Sequence, residues 1–158
     1  MELQEALSVA IEYERKVRDH YARCAGQIRD PRGQRIFATL AREEQTHVAY
    51  LEARLAEWRA TGLLTDVELP AVQPGLAWIE EAAAPPQAGA SLPELEFLKQ
   101  ALELEHKTSA FYRDLVALLD PGYQSLFARF LEVEDGHVAL VQAEIDALAG
   151  RGHWLDSI

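Results

Sequence analysis

The chain has 158 residues, of which 49% are hydrophobic and 26% charged, so it can bury one core and disorder is not expected. Its net charge of −11 argues against nucleic acid and anionic membranes as main partners, because both attract a basic surface. The single cysteine, Cys24, excludes an intrachain disulfide. There is no signal-peptide pattern and no apolar run near the roughly 20 residues of a membrane span, so we expect a cytoplasmic protein.

Four segments have hydrophobic residues spaced three and four apart over several turns, which predicts amphipathic helices packed into a bundle. In chain order they run from about Leu3 to Ile28, Gly33 to Arg59, Pro93 to Leu119 and Gly122 to Ala149. Turn sequences at 30–33 and 120–122 join the first helix to the second and the third to the fourth, which predicts two antiparallel hairpins.

A segment rich in proline and glycine, about 61–91, lies between the hairpins at about 2–60 and 92–149. It has room for a short helix near 75–83. The segment is long enough to travel along the bundle, because each predicted helix of about 27 residues is roughly 40 Å long at ~1.5 Å per residue. We therefore predict one all-α domain over residues 1–158, a four-helix bundle with a long crossover and a short C-terminal tail.

The two halves of the chain resemble each other. Residues 36–47 align with 126–137 at an offset of 90, and residues 10–21 align with 101–112 at an offset of 91. A duplicated helical hairpin explains both alignments.

Six polar residues occupy helix positions where the hydrophobic pattern requires apolar side chains: Glu14, Glu44, His47, Glu105, Glu134 and His137. Burying four carboxylates together costs several kcal/mol or more unless an opposite charge compensates. Two divalent cations would match the four negative charges and leave two imidazoles as further ligands. Residues i and i+3 share a helix face, so each Glu-x-x-His pair can offer one oxygen and one nitrogen, while the glutamates of the first and third helices bridge or chelate. The alternative is a buried polar network or a decayed site.

The tyrosines Tyr21 and Tyr112 follow the first-helix and third-helix glutamates by two turns. They are either core aromatics or hydrogen-bond donors that orient those carboxylates. A third Glu-x-x-His pair, Glu103 and His106, is not duplicated and lies off the hydrophobic face, so we expect it outside the site.

The remaining special residues are expected to serve packing or the surface. Cys24 is predicted to be a small buried hydrophobic residue. His20 and His153 are predicted to be exposed. The tryptophans are predicted to pack: Trp58, Trp78 and Trp154.

The combined motifs resemble the rubrerythrin family of ferritin-like proteins over all four helices, though not over the crossover. They are Ala-Ile-Glu-Tyr-Glu…His-Tyr at 10–21, Leu-Ala-Arg-Glu-Glu-Gln-Thr-His at 40–47, Ala-Leu-Glu-Leu-Glu…Phe-Tyr at 101–112 and Glu-Asp-Gly-His at 134–137. The resemblance implies a non-haem site with two iron ions that reacts with hydrogen peroxide or dioxygen, in a homodimer. Manganese or zinc would also suit mixed oxygen and nitrogen ligands.

The chain departs from that family in two respects. It has no four-cysteine rubredoxin module, so the resemblance implies a separate electron-donor protein. The position of the family's extra third-helix glutamate is occupied by Thr108, which puts its redox-linked iron movement in question. Two other functions stay open: a ferroxidase or iron storage or delivery protein, and a non-catalytic helical interaction module with a structural or vestigial site.

Overall fold

The computed structural model describes the backbone of residues 2–64 and 92–156, all side chains between 2 and 64, and those of 94–146 and 149. It contains four helices and, within those residues, no strand. The helices are α1 (Leu3–Gln27), α2 (Pro31–Thr61), α3 (Leu92–Leu118) and α4 (Pro121–Asp156). α1 packs along α2, α3 packs along α4, and α1 also contacts α3. The predicted all-α four-helix bundle is confirmed.

Local sequence explains where α2 begins and ends. Asp30 caps its first turn by accepting a hydrogen bond from the backbone N–H of Arg32 (3.3 Å), and Pro31 occupies the first turn, where no backbone donor is needed. The helix ends at Gly62, whose φ of 69° is the left-handed conformation that glycine adopts without strain. α2 therefore starts before Gly33, because proline is compatible with the start of a helix.

The buried hydrophobic residues form two layers along the bundle. The first core layer combines the start of α1, the end of α2, the end of α3 and the start of α4, for example Leu7, Leu51, Leu115 and Phe127. The second core layer combines the opposite end of each helix, for example Cys24, Phe37, Leu98 and Val141. Hence α1 runs antiparallel to α2 and α3 and parallel to α4, so both predicted hairpins are antiparallel.

The same layers show what the connection between the hairpins must do. α2 ends in the first core layer and α3 begins in the second, so the two ends lie at opposite ends of the bundle. This is what a crossover requires. The short helix predicted near 75–83 and Trp78 lie outside the described residues.

Two predictions about individual segments were wrong. The fourth helix continues past Ala149 to Asp156, so residues 150–156 are not a tail. The glycines there weaken a helix by about 1 kcal/mol each but block no hydrogen bond, and no proline interrupts the segment. His20 is 4% exposed rather than on the surface, because α1 packs against α3 as well as α2, and its Nε2 lies 3.1 Å from the carbonyl oxygen of Phe97.

Other predictions agree with the structure or cannot be compared with it. Cys24 is 1% exposed, as expected for a small core residue. Trp58 is half-buried and packs edge-on against Tyr123. The side chains of His153 and Trp154 lie outside the described residues.

A buried ion pair joins the two hairpins beyond the second core layer. The Arg32 guanidinium donates to both carboxylate oxygens of Glu144, with 3.3 Å between Nη1 and Oε2, and its Nε lies 3.8 Å from Asp30 Oδ2. Arg32 and Glu144 are 4% and 5% exposed. The pair links the start of α2 to α4, and the sequence pattern did not reveal it.

Candidate metal centre

The structure brings all six predicted residues together between the two core layers. Each helix contributes, α1 and α3 with one glutamate each, α2 and α4 with a glutamate and a histidine each. Five of the six side chains are fully buried and the sixth is 2% exposed: Glu14, Glu44, His47, Glu105, Glu134 and His137. Their assignment as metal ligands stays a prediction.

The six residues form two overlapping groups, in each of which one ligand atom per residue lies within 4.8 Å of the others. Both groups share Glu44 and Glu134. The first group is completed by Glu14 and His47, and the second group by Glu105 and His137. The carboxylates placed to serve both positions are thus those of α2 and α4. The glutamates of α1 and α3 each belong to one group.

Two tyrosines bind the α1 and α3 glutamates. The Tyr112 hydroxyl donates to Glu14 Oε1 (2.7 Å), and the Tyr21 hydroxyl donates to Glu105 Oε1 (2.5 Å). All four side chains are fully buried. Each tyrosine therefore fixes one oxygen of a carboxylate on the neighbouring helix, and the other oxygen of each carboxylate is buried without a hydrogen bond among the described residues. Both sequence alternatives therefore hold, since each tyrosine lies in a core layer and also donates a hydrogen bond to a carboxylate.

The histidines direct their Nδ1 atoms at the carboxylates. His137 Nδ1 lies 2.9 Å from Glu44 Oε1 and 3.5 Å from Glu105 Oε1. His47 Nδ1 lies 3.5 Å from Glu44 Oε2 and 3.8 Å from Glu14 Oε2. The two imidazoles stack with ring centroids 5.7 Å apart and 15° between their planes. Both rings thus present the same nitrogen to the centre.

One participant was missed by sequence reasoning. Glu43 Oε1 lies 3.1 Å from the outward nitrogen of His137, Nε2, and its side chain is 10% exposed. Its position directly before Glu44 was the available signal, but its partner comes from α4 and no spacing within α2 reveals it. As expected, Glu103 and His106 are exposed and outside the cluster. Thr108 is buried, and its hydroxyl donates to the Leu104 carbonyl oxygen (2.9 Å).

Burial and neighbouring negative charges favour the protonated form of the two shared carboxyl groups. Burial raises the pKa of Glu44 and the nearby Glu14 raises it further, from 4.5 to about 8. Burial likewise raises the pKa of Glu134 well above 4.5, and the negative charges of Glu105 and Glu14 add to the shift. Glu44 would therefore carry a proton at neutral pH in the absence of metal, and the pKa of Glu134 is shifted in the same direction.

The outer carboxylates and the imidazoles carry opposite charges. Burial raises the pKa of Glu14, but the close Glu44 carboxyl and the charged His47 outweigh it and lower the pKa to about 2. The pKa of Glu105 is also lowered, because its polar neighbours outweigh the effect of burial. Burial lowers the pKa of both histidines, but the carboxylates raise that of His47 to about 10 and that of His137 well above 6.5. The metal-free centre is therefore close to neutral.

Several buried atoms of the centre lack a hydrogen bond of ordinary geometry among the described residues. They include the inward Oε2 atoms of Glu14 and Glu105, both oxygens of Glu44 and Glu134, and both Nδ1 atoms of the histidines. Buried polar groups are normally paired, so such a concentration needs an explanation. Two divalent cations would accept electron pairs from all of these atoms, so the residues present fit a pair of metal ions.

Comparisons with known protein families, with curated proteins and with solved structures gave no match for this chain. None of the helices that the structure describes is both long and apolar enough to cross a lipid bilayer.

Proposed function

We propose that this chain is a non-haem di-iron oxidoreductase of the rubrerythrin-like type, which reduces hydrogen peroxide or dioxygen with electrons from a separate donor protein. The observation that carries the proposal is the pair of four-residue groups that share Glu44 and Glu134. Shared carboxylates can hold two ions close enough to act on one small oxidant. A single structural ion would need only one group.

Charge and ligand type suit two divalent ions, and Fe(II) is among the ions that fit. Four carboxylates balance two ions of charge +2, and mixed oxygen and imidazole ligands suit iron, with manganese and zinc as competitors. When bound, two Fe(II) ions supply one electron each, and these convert hydrogen peroxide and two protons into two water molecules.

The chain supplies the surroundings that such chemistry needs. Tyr21 and Tyr112 hold the outer carboxylates in one orientation through buried hydrogen bonds, as groups behind metal ligands commonly do. The two core layers cover the centre on both sides and limit the access of water and larger reductants. A small oxidant is therefore the substrate class that fits.

The first experiment loads the protein with Fe(II) without oxygen, measures bound iron and then adds peroxide. We expect two iron ions per chain and oxidation of two Fe(II) for each peroxide. Glu14→Gln should weaken one ion position, whereas Glu44→Gln should weaken both. Glu103→Gln is the matched control, because it alters an exposed Glu-x-x-His pair and should leave the iron content unchanged.

The alternatives predict different results. A structural or vestigial site predicts that Glu44→Ala combined with His137→Ala leaves metal content and thermal stability unchanged, which would refute the proposal. Iron storage predicts a large closed shell that retains many more than two iron ions per chain. We expect a dimer by mass measurement, and repeated peroxide reduction once a protein donor returns electrons.

A further inference from the structure

The duplication allows each residue of the centre to be compared with its counterpart in the other half. The ligand set is symmetric, since each glutamate, histidine and tyrosine has an equivalent at an offset of 90 or 91 residues. The position directly before the shared carboxylate is not symmetric. It is Glu43 in α2 and Val133 in α4. The two histidines are therefore backed by different side chains.

His137 is held from both sides. Its Nδ1 lies 2.9 Å from Glu44 Oε1, toward the second group, while its Nε2 lies 3.1 Å from Glu43 Oε1. A carboxylate behind an imidazole fixes the proton on the outward nitrogen, orients the ring and makes the inward nitrogen a better electron donor to a metal ion. This ligand is preorganised before any ion arrives.

His47 has no such support. Its carboxylate contacts, with Glu14 and Glu44, are made through Nδ1, whereas those of His137 also include Nε2. The ring packs edge-on against Phe130, with centroids 5.6 Å apart. Val133, the equivalent of Glu43, packs with the first core layer that contains Phe130. Away from the carboxylates of the centre, His47 contacts a phenyl ring, whereas His137 contacts the Glu43 carboxylate.

We propose, on the basis of the metal centre proposed above, that Glu43 is a positioning residue that makes the two ion positions unequal. A divalent ion binds first beside Glu105 and His137, and a second ion binds more weakly beside Glu14 and His47. Carboxylates that support metal-bound histidines commonly change metal affinity by about 10–100-fold, so we expect a preference of that size. The chain thereby defines an order of loading on a nearly symmetric ligand set.

Nuclear magnetic resonance of ¹⁵N-labelled histidine during a Zn²⁺ titration tests the order directly. Zinc accepts oxygen and imidazole ligands and undergoes no redox reaction. At one equivalent, the resonances of His137 should shift while those of His47 stay, and at two equivalents both should have shifted. His20 and His106 serve as internal references because neither belongs to the centre.

Three variants separate positioning from a general structural effect. Glu43→Gln should make the two histidines shift in parallel, with the affinity for the first ion about 10–100-fold lower. Val133→Glu places a carboxylate at the equivalent position and should make His47 respond earlier than it does in the unaltered chain. Glu132→Gln, which alters an exposed glutamate of α4, should leave the order unchanged.

The outcomes are distinguishable from failure of the proposed function. If no histidine resonance shifts with Zn²⁺, the metal centre itself is refuted. If both histidines shift in parallel in the unaltered chain, or if His47 shifts first, only the unequal loading is refuted. Unchanged order in Glu43→Gln would also overturn it, and if that variant does not fold, Val133→Glu decides.

Discussion

Binding of metal to the centre should release protons, and their number follows from the structure. In the metal-free protein, the raised pKa values of Glu44, Glu134 and both histidines favour protonated carboxyl groups at the shared positions and charged imidazoles. Each of these groups must lose a proton to donate an electron pair to an ion. Two carboxyl groups and two imidazoles therefore release about four protons when two divalent ions bind.

The same number sets the pH dependence of metal affinity. The pKa of Glu44 is raised to about 8 and that of His47 to about 10, so both groups are protonated throughout pH 6–7. If Glu134 and His137, whose pKa values are raised in the same direction, are protonated as well, the overall binding constant for two ions rises by linkage about 10⁴-fold per pH unit, or about 100-fold per ion. Affinity should therefore increase with pH across this window.

Isothermal titration calorimetry measures the proton count. The metal-free protein is titrated with Zn²⁺ or Mn²⁺ at pH 7 in buffers with different enthalpies of ionisation, and the slope of heat against buffer enthalpy gives the protons released. We expect a value near four for two ions. A value near zero would mean that the metal-free centre already holds bare carboxylates and neutral imidazoles, which would contradict the electrostatics described above. Glu14→Gln should bind fewer ions and release fewer protons.

Three further predictions concern stability. The metal-free protein should lose stability as pH rises from about 5 to 10, because groups with raised pKa values stabilise the fold only while protonated; thermal unfolding with and without metal should diverge over this range. Tyr112→Phe should destabilise the metal-free protein by about 2 kcal/mol in denaturant unfolding through a lost hydrogen bond to a carboxylate, whereas Tyr123→Phe at the bundle end should change little. Arg32→Ala should cost about 3–5 kcal/mol by leaving Glu144 buried and unpaired, whereas replacing both residues with leucine should cost far less and leave metal content unchanged.

Much of this architecture could be predicted because one physical pattern dominates the chain. Hydrophobic spacing identifies the inward face of each helix, and a polar residue on that face is then conspicuous. Glu14 and Glu105 were found in this way, although neither belongs to a local motif. The turns were evident because proline and glycine restrict the backbone locally, and only the exact helix ends differed.

The features that could not be predicted depend on which helices meet. Glu43 lies on α2, but its partner His137 lies on α4. The Arg32–Glu144 pair likewise joins residues from different hairpins. His20 was expected at the surface but is buried. The width of the buried face of a helix depends on how many helices it contacts, and α1 contacts two. Spacing along one helix carries none of this information, so these contacts needed the structure.

Protons and metal ions are interchangeable in the charge balance of this centre, and this explains how the fold can tolerate it. Four ionised carboxylates alone would repel one another in a dry interior at a cost of several kcal/mol or more. With two protonated carboxyl groups and two charged imidazoles, the same cluster is close to neutral, and the apolar layers on either side bring the helices together. The chain should therefore fold before it binds metal, unlike small domains whose folding depends on the ion. Metal ions bound at the proposed centre would then replace protons within a bundle that is already assembled.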